Sequence, residues 1–460
     1  MMPIIQTVAG LLVRACVGLF GHSGQNNDHN GGAAYGGDYE AQRHWMEITY
    51  HLPAKDWYYY DLEYWGLDYP PITAYVSWIC GFFSELLCGE ASVALDSSRG
   101  YEDPDHKSYM RATVLVLDVI VYFSAVWRVS GLTCSSRDLP DGSIVFSPKS
   151  SDRKKRRAAS FFVSLLQPAI VLIDHGHFQY NTTALGLSLW AFYFFSFPDT
   201  KDKVIGAIFF TAALNFKQMT LYYAPAVFFF LLGWCFSAAS TSKALVRFSA
   251  LGGTVILCFL IIWAPFIASN TALQVLKRQF PFQRGLFEGK VANIWCALTT
   301  KPISFRSRVD EDLQPIISLF LTLCLLLPVC IKLFFIALKS KNTNPEFLAK
   351  KILLGTSLSA VAFFLASFQV HEKSILIALA PFSLLQFSYD KWFTKVEWFS
   401  LICAWTLLPL MTVDKLVIPM VVCVGLYLMV GRAFSLEEDT DGSGGEDGKK
   451  RWKWFVRYAR

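Results

Sequence analysis

The sequence predicts an all-α polytopic membrane protein, and three observations carry that reading. Apolar runs of roughly 17 to 25 residues recur along the whole chain, each long enough to cross a ~30 Å hydrocarbon core as a helix. Of 460 residues, 53% are hydrophobic and 17% charged, and the mean hydropathy is +0.36, too apolar for a soluble chain of this size. The basic residues cluster at the edges of the runs. The net charge of +6 therefore reads as positive-inside sorting, not as a nucleic-acid surface.

Twelve spans are expected, within a range of 11 to 14, near residues 3–20, 112–132, 158–174, 182–198, 203–217, 219–237, 248–268, 314–337, 352–369, 374–388, 395–412 and 416–432. They leave no room for a separate soluble domain. Residues 1–433 read as one integral domain, with 21–111 as a long first luminal loop. Residues 434–460, which contain EEDTDGSGGEDG, read as a flexible cytosolic tail. Arg14 interrupts the first run and the cleavage-site pattern is poor, so this segment reads as an uncleaved span. The stretch 70–88 is opened by Pro70-Pro71 and is amphipathic, which suits a helix lying at the interface. Charge decides that choice. Loop 133–157 carries seven cations against three aspartates and belongs in the cytosol, whereas a crossing at 70–88 would put it beside the acidic first loop.

With 70–88 at the interface, loops 242–247, 339–351 and 389–395 and the tail are cytosolic. The motifs DHGHFQYN (174–181), NFKQM (215–219) and VHEK (370–373) then share the face of the first loop. Loop 269–313 falls on that face with seven cations against four acids. Long loops escape the charge rule, but Arg284 and its neighbours suit a lipid phosphate, because guanidinium forks match phosphate oxygens. Inside the spans, Arg14 and Asp118 are expected to pair, since an unpaired charge there costs at least ~2.5 kcal/mol. The eleven cysteines lie mostly in apolar runs without CxxC spacing and read as packing residues; Cys80, Cys88 and Cys296 are the ones to watch for a disulfide.

Chemistry concentrates in residues 21–70, where eight carboxylates face two cations alongside Trp45, Trp57 and Trp65. Carboxylates interleaved with aromatics suit a sugar site, because rings stack on sugar faces and a carboxylate can take a hydroxyl proton. A transporter would place its polar groups near the bilayer midplane, on broken helices in repeated halves. Here they sit at helix ends on one face, and the halves show no repeat. A non-catalytic scaffold would not need so dense an acidic and aromatic loop.

The blocks GDYEAQRHWMEIT (37–49), WYYYDLEYWGLDYPP (57–71), SRGYE (98–102), LIDHGHFQYN (172–181), NFKQM and HEKSIL (371–376) resemble those of the dolichyl-phosphate-glucose-dependent glucosyltransferases of the endoplasmic reticulum. The resemblance covers nearly the whole chain. The first two blocks look most like the branch that adds the first glucose, in α-1,3 linkage, to the nine-mannose lipid-linked oligosaccharide. The sister branch, which adds the second glucose, is the alternative. The resemblance implies a GT-C fold, a multi-pass protein among endoplasmic-reticulum membrane lipids, and a luminal active site. It further implies dolichyl-phosphate glucose as donor, a dolichyl-pyrophosphate-linked oligosaccharide as acceptor, and inversion at the transferred carbon.

An inverting transfer needs one base on the acceptor hydroxyl and stabilisation of the departing phosphate, which leaves as an anion without a general acid. By the resemblance the base is Asp38, with Asp68 as acceptor-binding carboxylate or alternate base; the competing reading of either is a helix cap. His371, Lys373 and Arg284, with Lys217 as an outer member, are expected on the donor phosphate. The competing reading of His371-Glu372-Lys373 is a polar junction between two helices. Acceptor and sugar contacts are expected from Glu40, Arg43, His44, Trp45, Trp65, Tyr69, His175, His177 and Gln179. No metal or other cofactor is expected: a monophosphate donor offers no pyrophosphate to chelate, and His175 and His177 read as hydrogen-bonding groups, not zinc ligands. The sequon Asn181-Thr182-Thr183 is expected to lie too close to the bilayer for glycosylation.

Overall fold

The computed structural model describes residues 2–24, 36–134, 136–138, 144–146, 150–280, 291–340, 344–368, 370–388 and 390–441. Helices fill most of these residues, and each of the twelve apolar runs is helical over most of its length. Among the described residues the β structure is one short antiparallel pair, Ser136–Asp138 with Ile144–Phe146, in the basic loop. Among the described residues, seven helices have the length and apolar content of a membrane span, or eight when the bent pair Arg153–Leu165 and Pro168–Phe178 is taken as one. Several of the others are short, such as Ile4–Gly18, Asn181–Phe195 and Thr200–Phe216. The chain is a polytopic membrane protein. Its last helix, Val417–Asp441, runs past the boundary expected at 433.

Pro71–Cys88 is one of the seven by length and composition. Its hydrogen bonds tie it to Phe216, Tyr109 and Ser92. Thr73 Oγ1 donates to the Phe216 carbonyl, Tyr109 donates to the Cys80 carbonyl at 2.5 Å, and Ser84 Oγ lies 2.9 Å from Ser92 Oγ. It packs lengthwise on Gly37–His51, with Gly81 against the Met46 carbonyl, where a Cβ would come within 2.7 Å.

Arg14 and Asp118 pair as expected, Nε to Oδ2 at 2.6 Å, with both side chains fully buried. His175 Nε2 joins the same oxygen at 2.9 Å. Asp118 and His175 each sit on a short π-helical segment, Asp118–Phe123 and Leu172–Phe178. A π-helical turn widens the helix and often marks a functional region. The buried triad thereby fixes the segment that continues to His177 and Gln179. All eleven cysteines are free thiols, so Cys80, Cys88 and Cys296 form no disulfide.

Candidate active site

The site begins with the helix Gly37–His51, whose first turn carries Asp38 and Glu40 near the positive end of the helix dipole. Gly37 takes a positive φ of +59°, open to glycine without penalty. The Asp38 amide donates to Ser23 Oγ at 3.0 Å, and the Ser23 amide donates to the His177 carbonyl at 3.0 Å. The chain leaving the first span is therefore tied both to Asp38 and to the π-helical segment. That segment ends at Phe178, which adopts a positive φ of +84°, and Gln179 after it is extended. The reversal brings Gln179 alongside Asp38.

Three donors meet on one oxygen of Asp38. His177 Nε2 lies 2.8 Å from Oδ2, Gln179 Nε2 donates to it at 2.7 Å, and Lys373 Nζ forms an ion pair with it. None of the three contacts falls on Oδ1. The side chain keeps 23% of its surface open, toward a cavity of about 390 Å³. Burial alone would raise the Asp38 carboxyl, but Lys373 and the His177 hydrogen bond outweigh it and hold the group well below the usual carboxylate range. An ionised carboxylate with one oxygen anchored and the other uncommitted by these contacts can accept a proton from a hydroxyl in the cavity.

The cavity wall also contains Asp68, Trp45, Trp65, Tyr69, Gln179, Lys217, His371 and Lys373. Trp45 Nε1 donates to the Trp65 carbonyl at 2.9 Å, and the Trp45 and Tyr69 rings lie 4.8 Å apart, giving an aromatic flank. Lys217 is buried, with Nζ donating to Gln179 Oε1 at 3.1 Å and to Asn181 Oδ1 at 2.5 Å, above the Tyr69 ring. Asn181 in turn donates to Asp174 Oδ1 at 2.7 Å and is 2% exposed. Its sequon is inside the packing and out of reach of a glycosylating enzyme.

Five expected sugar-contact residues are placed elsewhere. Arg43 donates to both Glu40 oxygens at 2.8 and 2.5 Å, to Glu47 at 2.9 Å and to Ser98 Oγ at 2.5 Å, all buried. His44 Nδ1 lies 3.0 Å from Glu47 and its Nε2 3.2 Å from Asp61. Glu40 also accepts from Tyr64 and from the Gly100 amide. Glu40, Arg43 and His44 thus clamp the SRGYE segment onto the helix and do not line the cavity. Within this lattice burial opposes charge, but His44 and Arg43 hold the Glu47 carboxyl down at about 2. The fourth, His175, is committed to Asp118, and the fifth, His177, is held between Asp38 and Asp414 and supports Asp38 instead of lining the cavity. Trp57 and Tyr58 pack with Tyr75 and Phe266 as a structural aromatic cluster. Arg284 lies outside the described residues.

A profile of the ALG6, ALG8 glycosyltransferase family matches residues 11–456. This chain belongs to that family. It is 40% identical over 442 residues to the Mus musculus protein named dolichyl pyrophosphate Man9GlcNAc2 alpha-1,3-glucosyltransferase, covering 95% of this chain and 80% of that one. The Gallus gallus protein of the same name is 40% identical over 92% of this chain and 77% of its own length. The Saccharomyces cerevisiae protein of that name is 38% identical over 89% and 70%. This member of the ALG6, ALG8 family is therefore a glycosyltransferase, and its cavity gathers one anchored carboxylate, a second carboxylate and several cations.

Arg278, one of seven cations in a long loop, had no signal to single it out. It borders the cavity and holds the GLDYPP loop, with Nη2 donating to the Gly66 carbonyl at 2.9 Å and Nε to Leu67 at 3.2 Å. Gln42, Gln279, Tyr222 and Phe368 complete part of the wall without belonging to any expected role. Asp414, in a turn between the last two apolar runs, contacts His177 Nδ1 at 2.5 Å. For Glu40, Arg43 and Glu47, a usable signal was present: their i,i+3 and i,i+4 spacing is that of ion pairs within one helix.

Proposed function

We propose that this chain transfers the first glucose from dolichyl-phosphate glucose to the nine-mannose dolichyl-pyrophosphate oligosaccharide, in α-1,3 linkage, at the luminal face of the endoplasmic-reticulum membrane. The observation that carries the reading is the Asp38 carboxylate, held by three donors on Oδ2 at the wall of a cavity that also presents Lys373, His371 and Lys217. The names borne by the relatives supply the acceptor and the linkage.

In the transfer, the bond between glucose C1 and the phosphate oxygen breaks as a new bond forms from C1 to O3 of the acceptor mannose. The hydroxyl proton passes to Asp38 Oδ1 and then to solvent. Dolichyl phosphate departs as an anion, met by Lys373 and His371. Lys373 is shared between base and leaving group: as it turns to the phosphate it releases Asp38, whose basicity then rises when the proton must be taken. Asp68, on the cavity wall, orients the acceptor sugar, while Trp45, Trp65 and Tyr69 offer rings to sugar faces. No metal enters this reading. Glu40, the next carboxylate along the helix from Asp38, is engaged by Arg43.

Purified protein in lipid or detergent, given dolichyl-phosphate glucose and the nine-mannose acceptor, should form a one-glucose product. Transfer only to an acceptor already bearing one glucose would reassign the step to the sister branch, and no transfer to either would overturn the reading.

A further inference from the structure

His177 touches two carboxylates. Its Nε2 lies 2.8 Å from Asp38 Oδ2 and its Nδ1 lies 2.5 Å from Asp414 Oδ2. The His177 and Asp414 side chains are each 3% exposed, so neither contact is a casual surface pair. Asp414 belongs to the turn between Leu408–Val413 and Val417–Asp441. That turn is pressed onto the histidine segment where Gly176, next to His177, leaves room for Leu416. A Cβ at position 176 would come within 2.8 Å of Leu416 Cδ1. Lys415, between Asp414 and Leu416, holds a positive φ of +59°, a conformation that costs a side-chain-bearing residue energy and persists only where its surroundings impose it.

We propose that Asp414 is a positioning residue for glucosyl transfer: it fixes the His177 ring so that Nε2–H points at Asp38 and keeps Oδ2 occupied, leaving Oδ1 for the acceptor hydroxyl. The physical reason is the hydrogen-bond inventory of the three groups. Ionised carboxylates only accept, whereas a neutral imidazole has a single N–H. A ring set between two carboxylates satisfies both only when both nitrogens carry hydrogen, so the charge on Asp414 favours the form that can donate to Asp38. With Asp38 and Lys373, the cluster then holds two negative and two positive charges. Without the Asp414 charge, the ring can turn or keep its one hydrogen on Nδ1. A bare Nε2 would then face the Asp38 oxygen, and the carboxylate would lose an anchor.

The inference rests on Asp38 serving as the base, and the experiment separates the two claims. The full chain and its variants Asp38→Asn, Asp414→Asn, Asp414→Glu, His177→Gln and the double variant Asp414→Asn/His177→Gln are purified. Each is assayed for transfer with dolichyl-phosphate glucose and the nine-mannose acceptor, with melting temperature recorded. Loss of one charge-assisted hydrogen bond predicts that Asp414→Asn lowers kcat about 10- to 100-fold, with both KM values within about threefold of the parent. Asp414→Glu should recover part of the loss. Asp414→Asn should add less than about threefold to His177→Gln, because it acts through that ring. Parental kcat in Asp414→Asn, with Asp38→Asn inactive, overturns the role of Asp414 and leaves the base in place. Full additivity in the double variant overturns action through His177. An active Asp38→Asn overturns the base assignment itself. Where Asp414→Asn does not fold, Asp414→Ser, which also removes the charge, is read in the same cycle, and an unchanged kcat there overturns the proposal.

Discussion

Lys217 decides which end of the Gln179 amide faces Asp38. Its ammonium can only donate, and it donates to Gln179 Oε1 at 3.1 Å, so the amide nitrogen is the end that remains for Asp38 Oδ2 at 2.7 Å. Gln179→Glu would replace that donor with a carboxylate oxygen beside another carboxylate, and like charges in one site raise the pKa of one of them. Transfer should fall at least about tenfold, more than in Gln179→Ala, which removes the donor without adding charge. Equal rates for the two variants would show that the amide does not set the charge state of Asp38.

Lys373 should shape the pH dependence of the reaction. Burial raises the Asp38 carboxyl, and Lys373 is the foremost influence that outweighs it and holds it low. The base is active when ionised, so the parent should keep its kcat/KM, which reports the free enzyme, well into the acid range. Lys373→Gln removes the cation, raises the Asp38 pKa and should move the acidic limb of kcat/KM to higher pH. The KM for the donor should rise as well. An acidic limb left in place would remove Lys373 from control of the base.

A methyl group at Gly37 should distort the site from outside the cavity. A Cβ there would lie 2.4 Å from Ser23 Oγ, in a backbone conformation that costs other residues about 1–2 kcal/mol. Gly37→Ala should lower the melting temperature in detergent and reduce transfer, since Ser23 also receives the Asp38 amide. Gly252→Ala is the control: no atom beyond its own helix lies within 4 Å of its Cβ position, and its melting temperature should hold or rise.

Arg43 separates architecture from substrate contact. Removing one partner of a buried ion pair leaves an uncompensated charge and costs about 3–5 kcal/mol. Arg43→Met strands Glu40 and Glu47, so it should lower the melting temperature sharply. The protein that remains folded should keep a KM for the oligosaccharide close to the parent value. A raised acceptor KM with an unchanged melting temperature would return Arg43 to the sugar site.

These cases show what was legible in the sequence and why. The spans could be read because a helix must hide its backbone from lipid, and that requirement writes itself as long apolar runs. Asp38, Lys373, Lys217 and Gln179 came into view through polar blocks at the ends of such runs on one face. Which side of a helix a residue faces was harder to see. All of residues 39–49 are buried, so no exposed stripe distinguishes Trp45, on the cavity, from Arg43 and His44, in the ionic lattice. Asp414 was invisible for another reason. It is a single acid in a short turn, and its meaning comes only from a partner 237 positions earlier in the chain.

The division of labour between Asp38 and Asp68 gives the most direct test of the mechanism. Both carboxylates line the cavity, but Asp38 is the one tied by three donors on a single oxygen. Asp38→Asn keeps the shape, can no longer take the acceptor proton, and should lower kcat by about 10² to 10⁴. Asp68→Asn should act mainly on the acceptor, raising its KM about ten- to a hundredfold, as expected for loss of a hydrogen bond to a charged group. Initial rates of the purified variants across a range of acceptor concentrations distinguish the two effects. If Asp38→Asn turned over faster than Asp68→Asn at saturation, the proton acceptor would be Asp68, and the three donors around Asp38 would then hold a structural carboxylate.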